Sequence, residues 1–382
     1  MKILMVSASY KPAFIYGGPT MSVSKLSEQL VDSGELVEVI CTTANGAEEL
    51  PVQAGIKTIV DGVEVRYFKR LTGDHSHLSP TLYVYLWKNA SKNTLVHIQA
   101  WWNLVSVFGC LVAILRGAKT IISARGTLSQ YSFNNRTSLP KKLFHYLLGR
   151  PLLKRCHFHV TSEKEKLDIL KLFTPKSVTV IPNFVRLPDD YGIKIPHREI
   201  SAGVLKLLFF SRVEEKKGLE LLFESLSKFK AEWILTIGGS GEKTYLERLK
   251  DLSRQLNIAH KIQWVGHVNN DAKFKVIKDH DLMVLPSHDE NFANVVVECL
   301  AMGTSVLLSK NVGLADYVAK NELGWICERT QDALTNTLNY ISNHKEKLIE
   351  ISQNAPRIIF RDFNENSIIK LYHRLYRAVE TY

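Results

Sequence analysis

The 382-residue sequence holds only five cysteines, at positions 41, 110, 156, 299 and 327, and no two of them form a C-x-x-C pair or a ligand cluster. Their scatter argues against a disulfide framework or a thiolate zinc site and fits free thiols in a reducing compartment. Long apolar runs are missing too. The longest, from Leu104 to Leu115, is too short to span a bilayer and stops at Arg116. No segment is therefore expected to cross a membrane. The opening MKILMVSASYKPAF lacks the extended apolar region and small-residue cleavage site of a signal peptide, so it reads as a first buried strand.

Negative charge is absent from one long stretch. Between His75 and Ser162, a span of 88 residues, there is no Asp or Glu, whereas Lys and Arg occur 11 times. The net charge of the whole chain is also +11, so the remainder is balanced. A one-sided field suits an anionic lipid surface, a phosphorylated acceptor or nucleic acid. A merely soluble basic face accounts for it as well. Within the stretch, PKKLFHYLLG (140–149) mixes basic with large apolar residues, as an interfacial amphipathic helix does and as an ordinary domain helix does.

What is present is the composition of a soluble globular protein, 45% hydrophobic and 23% charged, in a chain longer than one core comfortably serves. Two domains are expected. Short apolar runs alternate with segments of helical period. The strand candidates are KILMVS, VEVIC, VEVRYF, LVHIQ, KTIISA, FHVTS and VTVIP, then VLKLLFFS, WILTIG, IQWVG, LMVLPS and TSVLLS. Helical periodicity marks 20–32, 103–116, 163–172, 218–229, 244–256 and 295–302. Strand and helix alternating twice over predicts two doubly wound α/β domains. Their seam is expected in 182–203, rich in Pro, Gly and charge, and 330–382 reads as helices only.

Open α/β sheets bind ligands beyond the carboxyl ends of their strands, so residues just after strands are the candidates. Arg212 and Lys217 flank the turn RVEEKKG after VLKLLFFS, where their heads can converge on one anion such as a diphosphate. Taken alone, RVEEKKG is a solvated charge run; its place at a strand's carboxyl end favours the functional reading. GGSG (238–241) after WILTIG and YGGPT (16–20) after the first strand allow close backbone approach to a ligand, or are plain turns. Neither is a dinucleotide fingerprint or a phosphate loop. In SHDENFANVVVE (287–298) a helix is expected to begin near Asn294, a good capping residue. Glu290 then lies in the loop before it, Glu298 about 6 Å inside it, and the amides of roughly 293–295 form an anion site between them. Asp279-His280-Asp281 precedes the strand LMVLP at its amino end and is read as structural, so no metal site is expected.

Arg212 with Lys217-Gly218, the GGSG turn, VGHV (265–268) and the Glu-x7-Glu of 290–298 stand here in the order found in retaining glycosyltransferases of family 4. Through essentially its whole length the chain resembles that family, and TIISARGTLSQYSF with the following KK–helix resembles members that build bacterial capsule, O-antigen or exopolysaccharide repeats. The resemblance implies a GT-B fold: two Rossmann-like domains facing across a cleft. An acceptor-binding domain would span 1–190, joined by a helix returning from 364–382, and a nucleotide-sugar-binding domain would span 203–363. It further implies that Glu290 contacts the transferred sugar, Arg212 and Lys217 the diphosphate, and Glu298 the ribose. Backbone groups of Gly239, Gly241, 265–268 with Val268, Phe292, Ala293, Asn294 and Val295 would complete the donor site, while Gly17 and Gly18 would approach phosphates and acceptor. The implied donor is a uridine or guanosine diphosphate sugar, with no metal or other cofactor. The acceptor would be lipid-linked or a saccharide, met at an anionic membrane surface on the cytoplasmic face.

Two departures from the family pattern stand out. Its usual Glu-Gly-Phe-Gly is here Glu290-Asn291-Phe292-Ala293. Asn291 tolerates a left-handed backbone, whereas Ala293 adds a methyl where glycine is usual. Many members also place a histidine where this chain has Arg125, with His97 one strand earlier. Arginine is no general base at neutral pH, so Arg125 is read as a phosphate or acceptor contact, with His97 a second candidate for that contact and for the place of the family histidine. A nucleotide-sugar epimerase or a phosphorylase of the same fold is the alternative, although no pyridoxal-phosphate lysine motif is evident. A nucleic-acid binder rests on net charge alone, without a helix-turn-helix, zinc-finger or RNP-like signature, so no nucleic-acid partner is expected. No sequence feature specifies the oligomeric state.

Overall fold

The computed structural model describes residues 1–74, 76–129, 131–132, 139–187 and 203–381. The chain divides into two compact units, Met1–Phe184 with Glu365–Tyr382, and Val185–Asn364. The division falls at the start of the expected seam, most of which lies outside the described residues.

In the first unit the strands are β1 (Lys2–Val6), β2 (Leu36–Thr42), β3 (Lys57–Val60), β4 (Val63–Phe68), β5 (Thr94–Gln99), β6 (Lys119–Ser123), β7 (His157–Val160) and β8 (Ser177–Val180). They form one sheet in the order β8-β7-β6-β5-β1-β2-β4-β3. All neighbours run parallel except β3, which turns back on β4 through Asp61-Gly62, both at positive φ. Central strands such as β5 are buried at every position, the pattern of a sheet covered on both faces. Helices α1 (Gly18–Asp32), α2 (Leu104–Leu115) and α3 (Glu163–Leu172) supply cover. The helix Glu365–Glu380 joins this unit, burying Ile368, Tyr372, Leu375, Tyr376 and Val379 in the same core as Ile3 and Met5.

The second unit has β9 (Leu205–Phe210), β10 (Trp233–Gly238), β11 (Ile262–Gly266), β12 (Leu282–Leu285), β13 (Ser305–Ser309) and β14 (Gly324–Cys327). Between them run α4 (Leu219–Ser227), α5 (Lys243–Gln255), α6 (Asn270–Lys278) and α7 (Asn294–Ala301). All strands are parallel, in the order β11-β10-β9-β12-β13-β14. The order reverses between β9 and β12, and a crevice opens at such a switch point beyond the carboxyl ends of the two strands. In the first unit the same reversal falls between β1 and β5.

Candidate active site

The two loops that leave the β9/β12 switch point carry the principal site residues. After β9 the chain makes a short 3-10 turn, Glu215–Lys217, closed by Gly218 in the left-handed region at φ 76°. A Cβ on Gly218 would lie 2.4 Å from the carbonyl oxygen of Pro286, so only glycine lets this turn run against the loop that follows β12. That approach delivers the buried Lys217 to Glu290, and its ammonium hydrogen-bonds Oε2 of the carboxylate. The backbone of Glu290 is pinned as well. Its N–H donates to the Asn311 carbonyl at 3.1 Å, and its carbonyl accepts from Gly313 at 2.8 Å. Alongside, the Lys216 ammonium lies 3.2 Å from Asp289. Arg212 behaves differently. Its side chain is 72% exposed and pairs with Glu214 at 2.8 Å. Arg212 and Lys217 thus follow the same strand with separate carboxylate partners, one pair exposed and the other largely buried.

The helix between the two glutamates begins where expected, but its cap differs. Asn294 is the first residue of α7; the cap position is Ala293, with φ 71° and ψ 75° and no side-chain cap hydrogen bond. The left-handed residue of this loop is therefore Ala293, and Asn291 is not at positive φ. Phe292 turns its ring inward against Phe363, so only its backbone faces the loop. Val295 packs partly against the core. Glu298, one turn into α7, is buried and receives the Lys273 ammonium of α6 on Oε1 at 2.5 Å. Its other oxygen, Oε2, is buried with no hydrogen-bond partner among the described residues. A buried carboxylate oxygen left unpaired is costly unless a donor arrives. No sequence motif marks Lys273, which lies in the first turn of α6; its place shortly after VGHV is the hint the sequence offers.

The glycines after β10 have a structural reason in this unit. A Cβ on Gly239, at φ 136°, would come within 1.8 Å of the Ser211 carbonyl, and one on Gly241 within 2.3 Å of the Val213 carbonyl. Both are required for the two strand-exit loops to touch, as the Val213–Gly241 bridge shows. The Gly239 N–H also bonds the Gly266 carbonyl at 2.7 Å, tying in the loop that carries the half-buried Val268. At the amino end of β12 the His280 ring bonds Thr236 Oγ1 at 2.7 Å, and Asp281 accepts from the Lys206 N–H at 2.9 Å. These residues tie the start of β12 to β9 and, beyond it, to β10.

A family model described as glycosyl transferases group 1 matches residues 194–358, and one described as glycosyltransferase family 4 matches residues 16–187. An uncharacterised glycosyltransferase of Methanocaldococcus jannaschii is 26% identical over 99% of this chain and 98% of its own. A lipopolysaccharide 1,2-N-acetylglucosaminetransferase of Salmonella typhimurium is 24% identical over 51% of this chain and 55% of its own. Among solved structures, Anabaena HepE in complex with UDP and glucose superposes with a TM-score of 0.72 at 19% identity, covering 99% of this chain and 100% of that one. Two glycosyltransferase family models thus match the two halves of the chain, and its fold is the GT-B fold.

In the first unit of this glycosyltransferase, Gly17 stands at φ 63° just before α1, which Gly18 opens. A Cβ on either would meet nothing within 4 Å, so here the glycines border open space instead of a packed neighbour. Arg125 follows β6 at φ 50°. Its Nε donates to Gln99 Oε1 at 2.8 Å and its Nη1 to Asn183 Oδ1 at 3.3 Å, and burial lowers its pKa. His97 is not beside it at a strand end. It lies inside β5, fully buried, with Nδ1 3.0 Å from the Tyr376 hydroxyl and Nε2 2.7 Å from Ser123 Oγ. Ser123 Oγ in turn contacts His159 Nδ1 at 2.6 Å, and His159 Nε2 lies 3.1 Å from the Tyr372 hydroxyl. Burial drives the pKa of both histidines down, that of His159 to about 3. Of the transferase's two candidates to stand in for the family histidine, His97 is thus a core residue that binds the helix Glu365–Glu380 to the sheet.

Proposed function

We propose that the transferase moves a sugar from a nucleotide-diphosphate donor, with retention of anomeric configuration and without a metal, to a lipid-linked or saccharide acceptor in surface polysaccharide or glycoconjugate synthesis. The observation that carries this reading is the placement of Lys217, Glu290 and Glu298 on the elements that follow a single switch point, with Lys273 reaching Glu298 from α6. Lys217 is positioned to leave Glu290 for a diphosphate oxygen as negative charge develops there, and Glu290 then accepts from the sugar hydroxyls. The unpaired Oε2 of Glu298 supplies an acceptor for a ribose hydroxyl. Arg212, exposed and paired with the surface carboxylate of Glu214, can swing to the same phosphates at little cost. In the transfer the bond from the anomeric carbon to the diphosphate oxygen breaks, the acceptor oxygen bonds that carbon, and the acceptor proton leaves with the diphosphate.

The reading extends to a peripheral position on the cytoplasmic face of a membrane. No helix among the described residues is long and apolar enough to cross one. The helical segment Leu139–Phe144, with the π-turn His145–Gly149 after it, exposes Leu143 at 59%, Tyr146 at 59% and Leu147 at 71%, within the acid-free stretch. Apolar residues exposed at this spacing suit the lipid interface. The test is to feed purified protein with uridine and guanosine diphosphate sugars and candidate acceptors, in buffer with and without a chelator, and to read the anomeric configuration of the product by NMR. Product of the donor's own configuration, unaffected by the chelator, supports the proposal. An inverted product, a sugar that stays on the nucleotide, or loss of turnover on chelation overturns the corresponding part.

A further inference from the structure

The cations of the acid-free stretch are not spread evenly over the first unit. Lys92 stands just before β5, Arg116 and Lys119 at the entry to β6, Lys154 and Arg155 just before β7, and Lys176, a little further on, just before β8. Since these four strands are parallel and adjacent, every one of these charges falls on the amino edge of the sheet. That is the edge opposite the carboxyl ends that lead to Gly17 and Arg125.

The edge is concave. A cavity of about 220 Å³ opens there, with Lys119, Thr120, Arg155, His157 and Lys176 among its lining residues. Gly117, at φ 69°, forms part of its rim, where a Cβ would meet nothing within 4 Å. Among the described residues no carboxylate pairs with Lys119, Arg155 or Lys176. Neighbouring strands lie about 4.8 Å apart, so three like charges are held close without a protein counterion. The buried ring of His157, bonded to Ser177 Oγ at 2.8 Å, registers the field. Its pKa is pushed down to about 4 by burial and then by Lys176 and Lys119.

We propose that this hollow is a binding site for a phosphate-type dianion, either a free phosphate or the phosphate of a lipid headgroup. An arginine fork beside two ammonium groups matches a tetrahedral anion with several oxygens. The site does not depend on the transfer reaction and lies at the other end of its sheet from the residues considered for acceptor contact.

The experiment is calorimetric titration of the whole chain with inorganic phosphate and pyrophosphate, with the His157 ring followed by NMR. Saturable binding is expected in the wild type and in Arg212→Ala, which removes a phosphate contact from the second unit. It should weaken about tenfold in Arg155→Ala and Lys176→Gln, and bound anion should raise the His157 pKa. Lys176 is exposed in a connection, so its variant retains the fold if Arg155→Ala does not. A parallel arm measures sedimentation with phosphatidic acid vesicles against phosphatidylcholine vesicles. Phosphate binding that the variants weaken identifies a free-phosphate site. Phosphatidic acid binding that the same variants weaken, with no response to inorganic phosphate, identifies a headgroup site. Binding equal in wild type and both variants, or absent in both arms, overturns the proposal.

Discussion

Lys217 and Glu290, 73 residues apart in the chain, form an ion pair at the switch point of the second sheet, and each occupies the other's principal hydrogen-bonding group. Under the proposed function this pair separates when a diphosphate sugar enters. Lys217→Met is accordingly expected to lower kcat by about a hundredfold or more, as loss of a donor to developing charge does. Steady-state kinetics with saturating donor checks this. A rise in KM with kcat unchanged would place Lys217 in ground-state binding alone.

Among the described residues, Glu298 has one oxygen on Lys273 and one without a partner. Glu298→Gln is expected to weaken a nucleotide diphosphate about tenfold, the scale of a charged hydrogen bond. The same loss should appear in wild type when the ribose hydroxyls are removed from the ligand. The two losses should not add. Additive losses would mean that Glu298 faces some other group.

Ala293 sits in a left-handed conformation that costs a non-glycine residue about 1–2 kcal/mol. Replacing it with glycine relieves that strain and adds some unfolded-state entropy, leaving Ala293→Gly about 0.5–1 kcal/mol more stable. The opposite holds after β10, where Gly239→Ala drives a methyl into the Ser211 carbonyl and should cost about 1–3 kcal/mol. Urea denaturation of the two variants tests both signs. A less stable Ala293→Gly would show that the methyl packs better than the strain suggests.

His97 and His159 are held neutral inside the first unit. Each has a lower pKa folded than unfolded, so the unfolded chain binds more protons below the ordinary value of 6.5. Stability is therefore present in full above pH 6.5 and declines as pH falls toward about 3 for His159, by up to about 1.4 kcal/mol per pH unit for each ring. His159→Gln should flatten the decline between pH 6.5 and 5 relative to wild type. Parallel curves would show that the network is not what makes the fold acid-sensitive.

The alternation of apolar runs with helical periods made both sheets legible, because buried parallel strands leave continuous hydrophobic words such as KILMV and LMVL. Two strands of these sheets were missed for physical reasons. Lys57–Val60 is an exposed edge strand with almost nothing buried, and Gly324–Cys327 is short and led by glycine. The positions of Glu290 and Glu298 about a helix start were readable from their spacing. Their partners were not. Whether Lys217 meets Glu290 or a neighbour depends on two loops touching, and His97 meets Tyr376 only because a helix 279 residues later returns to the first sheet. Asn294 has the stronger capping chemistry, yet the backbone gave the cap position to Ala293.

The most direct test of a nucleotide-sugar site at the β9/β12 switch point is calorimetric titration of the intact chain with a panel of nucleoside diphosphates and their sugars. Saturable binding of one nucleoside diphosphate is expected, weakened in Lys217→Met and Glu298→Gln and unchanged in His97→Gln. Binding of none of them, or binding that both site variants leave intact, would contradict it.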